Sequence, residues 1–487
     1  MTDPRQLLSL AVVLFIPTYL ILARQERALL AWICLTVSVQ IFDTRMLVNL
    51  PAARAAGLLL IPQAIHFLPK ILSTRPGKVL IFHYSYLIFL GIVFGFIFPW
   101  PDGGLERTLN QIAPGRSIIY LIRTGADISL AIFVARQVIK LKNPDKVLHY
   151  MLIGTSIAAF SGILEFLTRI DLYQLLTGIE YDYIPNRMRG FCYEPRGLGL
   201  ITGIGSLLSL LLYSQQPSWK LFGLCCLHAM AFVLAGSTSA LMAAGLGAMT
   251  LMLFNHKFRL YMLIFMTVGM IFLTLLFMTK SQFLATYIEN ARLRLTIERI
   301  ERSPENIIEN LAFRMDILDG PALLFLYSNP LYLLVGSGPG LVSLPATEYL
   351  PPSEDFNWAA ETGINTPPSI GLVLELSNTG IIGLGLWLII YICIFRAFNY
   401  LGKLNEPESR AWRIGKGAFA AVLGVYIMQV SPLSPNWAVF LGIGLAAYHT
   451  ARSTPEQPKQ VNVLKNYRHT NVGSDGLKPG ELNGKSD

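Results

Sequence analysis

Of the 487 residues, 53% are hydrophobic and only 14% charged, whereas an ordinary soluble domain carries about 25% charge, so water is excluded as the main solvent. The net charge of +9 is divided among short basic clusters at the edges of apolar runs, which excludes a nucleic-acid surface and marks topology determinants instead. The five cysteines show neither metal-ligand spacing nor a disulfide framework, and only Cys192 is expected to face an aqueous loop.

The first apolar run, 6 to 23, ends at Arg24-Gln25-Glu26-Arg27 with no small-residue cleavage site, and reads as an anchor rather than a cleaved signal. Further runs follow at 28 to 42, 55 to 69, 79 to 99, 117 to 139, 147 to 167, 198 to 213, 220 to 236, 237 to 254, 260 to 279, 371 to 395, 417 to 431 and 436 to 450. A crossing needs about 20 residues to span about 30 Å of hydrocarbon. The runs are continuous and not alternating, which predicts helices and excludes a barrel. The expected fold is therefore all-α: a polytopic transmembrane helical bundle of 12 to 14 spans, thirteen being the preferred count, with one long helical exoplasmic loop. The run 55 to 69 is the weakest span because it carries Pro62 and His66.

Short loops with Lys140, Lys142 and Lys146, with His256, Lys257 and Arg259, and with Arg396, Lys403, Arg410, Arg413 and Lys416 are expected to be cytoplasmic. The chain then divides into N-terminal transmembrane helices (1–167), a first exoplasmic loop (168–197), central transmembrane helices (198–279), a long exoplasmic loop (280–369) and C-terminal transmembrane helices (370–450). A polar tail (451–487) is expected to be disordered and cytoplasmic. The excursion of about ninety residues is long enough to be a working element. Within it, Ser281 to Arg302 reads as an amphipathic helix on the membrane surface. Ser303-Pro304-Glu305 opens a second helix that Asn329-Pro330 stops. The run Gly336 to Gly340, GSGPG, lacks the strand, helix and lysine of a nucleotide loop. It predicts a tight turn with close backbone approach, contact of its amides with an anion being the alternative. Arg123 and Asp127, one helical turn apart inside a span, are expected to neutralise each other.

Four stretches together resemble the bacterial O-antigen polymerase and O-antigen ligase superfamily of polysaccharide-assembly glycosyltransferases. They are FRMDILDGPALLFLYSNPLYLLVGSGPG (313–340), LVLELSNTGIIGLGLWLIIY (372–391), RMRGFCYEPRGLG (187–199) and GSTSALMAAGLG (236–247), the last without the arginine usual at its place. The resemblance implies an undecaprenyl-diphosphate-linked glycan as substrate on the outer face of the cytoplasmic membrane. Arginine is well suited to such a diphosphate, because its guanidinium forms bidentate, permanently charged hydrogen bonds. Arg187, Arg189, Arg196 and Arg314 are the expected diphosphate-binding residues, with Arg292, Arg294, Arg299 and Arg302 more readily explained as a solvated helix face.

A histidine common in the ligase branch is missing from Asn365-Thr366-Pro367-Pro368, and all seven histidines read as satisfied polar groups in spans or cytoplasmic segments. The acceptor base would then be a carboxylate, with Glu194, Glu361 and Glu375 the catalytic candidates. No metal or other cofactor is expected. The implied activity is a polysaccharide polymerase working in an inner membrane beside a flippase and a chain-length regulator. Ligase-type transfer to a lipid or protein acceptor, and a lipid-linked oligosaccharide flippase, are the alternatives.

Overall fold

The computed structural model describes residues 4–42, 51–98, 113–180, 187–255, 258–260, 319–349, 368–404, 408–429 and 434–454. Met1–Ala451 form one compact unit and Arg452–Asp487 another. Among the described residues all regular structure is helical. The N-terminal part holds α1 (Pro4–Leu22), α2 (Glu26–Thr36), α3 (Ala52–Leu59), α4 (Ile61–Leu72), α5 (Arg75–Ile97), α6 (Ala113–Leu141) and α7 (Asp145–Thr168). The central part holds α8 (Leu172–Thr177), α9 (Pro195–Gln215), α10 (Trp219–Ala235) and α11 (Thr238–Phe254). Three short helices come next, α12 (Asp319–Ser328), α13 (Pro330–Val335) and α14 (Ser343–Ala346), and then α15 (Gly371–Leu401), α16 (Glu408–Met428) and α17 (Ser434–Ser453).

Local chemistry sets many of these boundaries. Thr74, Ser218 and Ser237 each accept a hydrogen bond from a first-turn amide of α5, α10 and α11, satisfying donors that a helix start leaves open. Pro62, near the start of α4, cannot donate to α3, and the two helices meet at a 70° bend. Together they form one bent candidate span, alongside α5, α6, α7, α9 and α15, which are individually long and apolar enough to cross a membrane. The run 28 to 42 departs from expectation. Its helix, α2, has 11 residues and rises only about 16 Å, half of what a crossing needs. Beyond it, the Gln40 amide donates to Phe191 O at 3.0 Å and its side-chain oxygen accepts from Tyr193 N at 3.0 Å, so the chain is drawn into a distant loop instead of continuing upward.

Apolar side chains face outward and polar ones inward. Phe82, Phe89 and Phe96, spaced two helical turns apart on α5, are 59%, 59% and 76% exposed, while His83, Arg116, Ser377, Asn378 and Thr379 are buried. That inversion costs a great deal in water and is natural in lipid. Cys192, expected in an aqueous loop, is instead completely buried, because the loop folds back beneath α7.

Small residues let the helices approach closely, as they do where lipid removes the hydrophobic drive between helices. One close crossing is α11 on α16: a methyl group added at Gly424 would run into Thr250 Oγ1 and lie 2.7 Å from Gly247 Cα and from Leu246 O. Gly424→Ala is expected to cost about 1–3 kcal/mol through overpacking and to lower the unfolding midpoint in detergent. Gly245→Ala is the control, since a methyl group there meets nothing within 4 Å, and its midpoint should stay the same or rise slightly.

Candidate functional site

Among the described residues, those singled out by sequence fall at two places, the loop before α9 and the first turns of α15. In the loop, Glu165 on the last turn of α7 accepts hydrogen bonds from the amides of Arg189 (3.3 Å) and Gly190 (2.5 Å), and Ser161 Oγ accepts from Phe191 N at 2.9 Å. Arg189 itself is turned inward, with a side chain 2% exposed. Its Nε and Nη2 donate to the two oxygens of Asp171 at 2.9 and 2.5 Å, Nη2 also reaches Ile179 O at 3.0 Å, and Nη1 reaches Tyr193 O at 3.2 Å. The guanidinium also lies 4.9 Å from the Tyr173 ring centre, a favourable cation–π geometry. Arg189 thus ties α8 to the loop, and it could grip a diphosphate only by exchanging these bonds.

The other residues of this loop stand differently. Arg187 donates from Nε to Ala235 O at 3.0 Å, at the C-terminal end of α10. Arg196 and Glu194 form a 3.0 Å ion pair at the mouth of α9, with side chains 26% and 21% exposed. Arg196 is therefore better placed than Arg189 to meet a ligand. Arg314 and Glu361, together with the helices expected over 281–302 and from Ser303, lie outside the described residues; α12 does end at Ser328, immediately before Asn329-Pro330.

The second place is a break in α15. Gly380 has φ 64° and ψ −164°, which interrupts the helical ladder and frees carbonyls that must find other donors. The GSGPG turn supplies them. Ser337 N and Oγ donate to Ser377 O at 2.7 and 2.8 Å, Gly338 N to Asn378 O at 3.2 Å, and Gly340 N to Asn378 Oδ1 at 3.1 Å. Gly336 and Gly380 both have positive φ, and each backbone lies too close to the other segment to admit a Cβ. The sequence expectation of a tight turn with close approach is met, and the amides that an anion would have used are spent on α15.

This join is anchored from several sides. Asn378 Nδ2 donates to Tyr120 OH at 2.7 Å, Tyr86 OH to Val335 O at 2.8 Å, and buried Arg116 to Ser343 Oγ at 2.6 Å. Asp319, at the head of α12, accepts from Ser369 Oγ at 2.7 Å and Ile370 N at 3.0 Å, fixing the entry to α15.

One turn before the break, Glu375 Oε1 meets His83 Nε2 of α5 at 2.6 Å and accepts from Thr379 Oγ1 at 2.7 Å. The His83 side chain is 4% exposed and that of Glu375 18%. A carboxylate held this way can take up and release a proton while its partner fixes its orientation. Sequence reasoning placed Glu375 among the candidates but grouped His83 with the satisfied polar residues. Two ionisable groups in different spans, each costly alone, were the available signal.

A further buried pair adds to an expectation. Asp127 is held by Arg54 of α3, with Nε to Oδ1 at 3.1 Å and Nη2 to Oδ2 at 3.0 Å; Arg123, the neighbour on α6 expected to neutralise it, adds an electrostatic attraction but is not its main partner. Among the described residues no group of three or more His, Cys, Asp or Glu is arranged to hold a metal ion. No protein-family model matches the chain, and no curated protein matches it significantly.

Arg189→Ala would leave Asp171 without its bidentate partner and remove the bonds to Ile179 O and Tyr193 O that shape the loop. The Asp171 side chain is 32% exposed and can be rehydrated, but the carbonyls left without a donor cost about 1–3 kcal/mol, so a fall in monodisperse protein on detergent size exclusion is expected. Arg196→Ala should elute as the parent protein does.

Proposed function

We propose that the chain is a membrane polysaccharide polymerase that moves an undecaprenyl-diphosphate-linked glycan onto a lipid-linked repeat unit in O-antigen, capsule or exopolysaccharide assembly. The reading includes about thirteen crossings of a bacterial cytoplasmic membrane, with the site on its exoplasmic face and a flippase and chain-length regulator as neighbours. One observation carries it: two of the stretches that resemble the polymerase and ligase superfamily are hydrogen-bonded to each other, through Ser337 to Ser377 and Gly338 to Asn378, and that join holds Glu375 against His83.

In this reading the acceptor hydroxyl oxygen attacks the anomeric carbon of the donor glycan. The bond from that carbon to the diphosphate oxygen breaks, and undecaprenyl diphosphate leaves with the electron pair. The hydroxyl proton passes to Glu375, while His83 and Thr379 orient the carboxylate. Arg196 and Arg187, joined by Arg314, grip the diphosphate, since guanidinium charge is worth most where charge develops on a departing group. Contacts along α2 support placing the two regions at one end: its Glu26 meets Arg136 and Lys140 on the last turns of α6, and the chain beyond its far end meets the Arg189 loop through Gln40. Arg116, beside Ser343, is on the first turn of α6.

A second reading is transport of a lipid-linked glycan. The break in α15 favours it, because discontinuous helices with charge at the break recur in transporters. Purified protein in liposomes carrying lipid-linked repeat units separates the two. A polymerase lengthens them without nucleotide sugar; a transporter forms no new glycosidic bond. Glu375→Gln is expected to slow elongation by about 10²–10⁴-fold, the usual contribution of a general base, with the protein still monodisperse. Unchanged elongation would remove Glu375 from the site. In cells, deletion should leave single repeat units attached, whereas loss of all attached glycan would indicate ligase-type transfer.

A further inference from the structure

Far from the broken helix, a cavity of about 370 Å³ opens between α1, α2, α4 and α6. Twenty residues of α6 separate Arg136, which lines it, from Arg116 beside Ser343, a rise of about 30 Å. That distance is the hydrocarbon thickness of a bilayer, so if one region lies at one membrane interface, the cavity lies at the other.

Its walls differ in character. Leu20, Ile21 and Leu29 form an apolar side, and Arg24, Glu26, Gln63 and Arg136 a polar one. Glu26 accepts from Arg136 at 2.8 Å, Gln137 at 3.1 Å and Lys140 at 2.9 Å. Burial works against the charged carboxyl, but Lys140, Gln137 and Arg136 more than offset it, holding the group below the ordinary carboxylate range. One anion thus faces two cations, and Arg24 in the exposed turn after α1 adds a third. Gln63 Oε1 is buried without a hydrogen-bond partner among the described residues, a costly state for an acceptor. An occupant that relieves both features must carry negative charge for the arginines, a donor for Gln63 and an apolar portion for the leucine side.

We propose that this cavity holds the headgroup of a membrane phospholipid bearing both a phosphate and a hydroxyl or ammonium donor. The phosphate meets Arg24 and Arg136, the headgroup donor meets Gln63 Oε1 once the Gln63 amide turns toward the cavity that its side chain lines, and the first acyl carbons lie on Leu20 and Ile21. Guanidinium and phosphate match in charge and geometry, and basic clusters at a membrane edge are where anionic lipid is found. A lipid bound there would bridge α1, α2 and α6 at the end of the bundle where α2 begins.

The test uses the full chain and does not depend on glycan transfer. Native mass spectrometry of the detergent-solubilised protein, titrated with phosphatidylglycerol, should show one lipid that survives activation sufficient to strip the others. Arg24→Gln, at an exposed turn, and Gln63→Leu should each weaken that adduct at least about tenfold, or roughly 1.4 kcal/mol. Inorganic phosphate at millimolar concentration should not displace it. Equal retention by both variants would overturn the proposal, and displacement by inorganic phosphate would replace the lipid with a free anion.

Discussion

A backbone carbonyl buried among apolar groups must be given a donor, and in α15 that requirement organises everything around it. The kink at Gly380 removes Ser377 and Asn378 from the helical ladder, and each unsatisfied group in such surroundings costs several kcal/mol. The turn at 336–340 provides the missing donors, so the segment Asp319–Tyr349 cannot leave α15 without exposing both partners. The short helices α12 and α13, the capping of Ile370 by Asp319 and the seat of Arg116 on Ser343 all serve to keep that turn in place.

Buried charge obeys the same rule over longer stretches of sequence. Asp127 finds Arg54 across 73 positions, Arg189 finds Asp171 across 18, and Glu375 finds His83 across 292. None of these partners is a neighbour on the same helix. Removing a charge from water costs so much that a partner must be present wherever the fold brings one, and the fold, not local spacing, decides which. His83 and Glu375 differ from the other pairs in that an imidazole, not a permanently charged guanidinium, faces the carboxylate, so Glu375 is not locked to a fixed positive charge.

Hydropathy made most of the bundle legible. The runs at 79 to 99, 117 to 139, 147 to 167 and 198 to 213 correspond to α5, α6, α7 and α9 within a few residues at each end, because about twenty apolar residues in succession admit few other structures. Pro62, which made 55 to 69 the weakest run, lies beside the bend between α3 and α4. The break in α15 was not legible. Gly380 lies in a run, Thr379-Gly380-Ile381-Ile382-Gly383, whose composition suits an unbroken span, and only the backbone approach of Gly336 explains its φ. The short α2 escaped notice for a similar reason: the apolar run continues to Phe42, but Gln40 is claimed by a loop 153 positions away. For the site, sequence identified charge and residue type at Arg189 and Glu375, yet could not say that the first is enclosed by Asp171 and Glu165 while the second faces a histidine.

The position of Glu375 relative to the break has an electrostatic consequence. Residues 371–379 form a half-helix whose C-terminal carbonyls concentrate partial negative charge, an unfavourable neighbour for a carboxylate one turn away. The amides of Ser337 and Gly338 cancel much of that charge by binding two of those carbonyls, and His83 and Thr379 supply donors to the carboxylate directly. The glycine-rich turn is therefore more than a fastener. By capping the half-helix it makes the surroundings of Glu375 tolerable for an anion, so the same contacts that satisfy the broken backbone also set the electrostatics of the one carboxylate that α15 contributes.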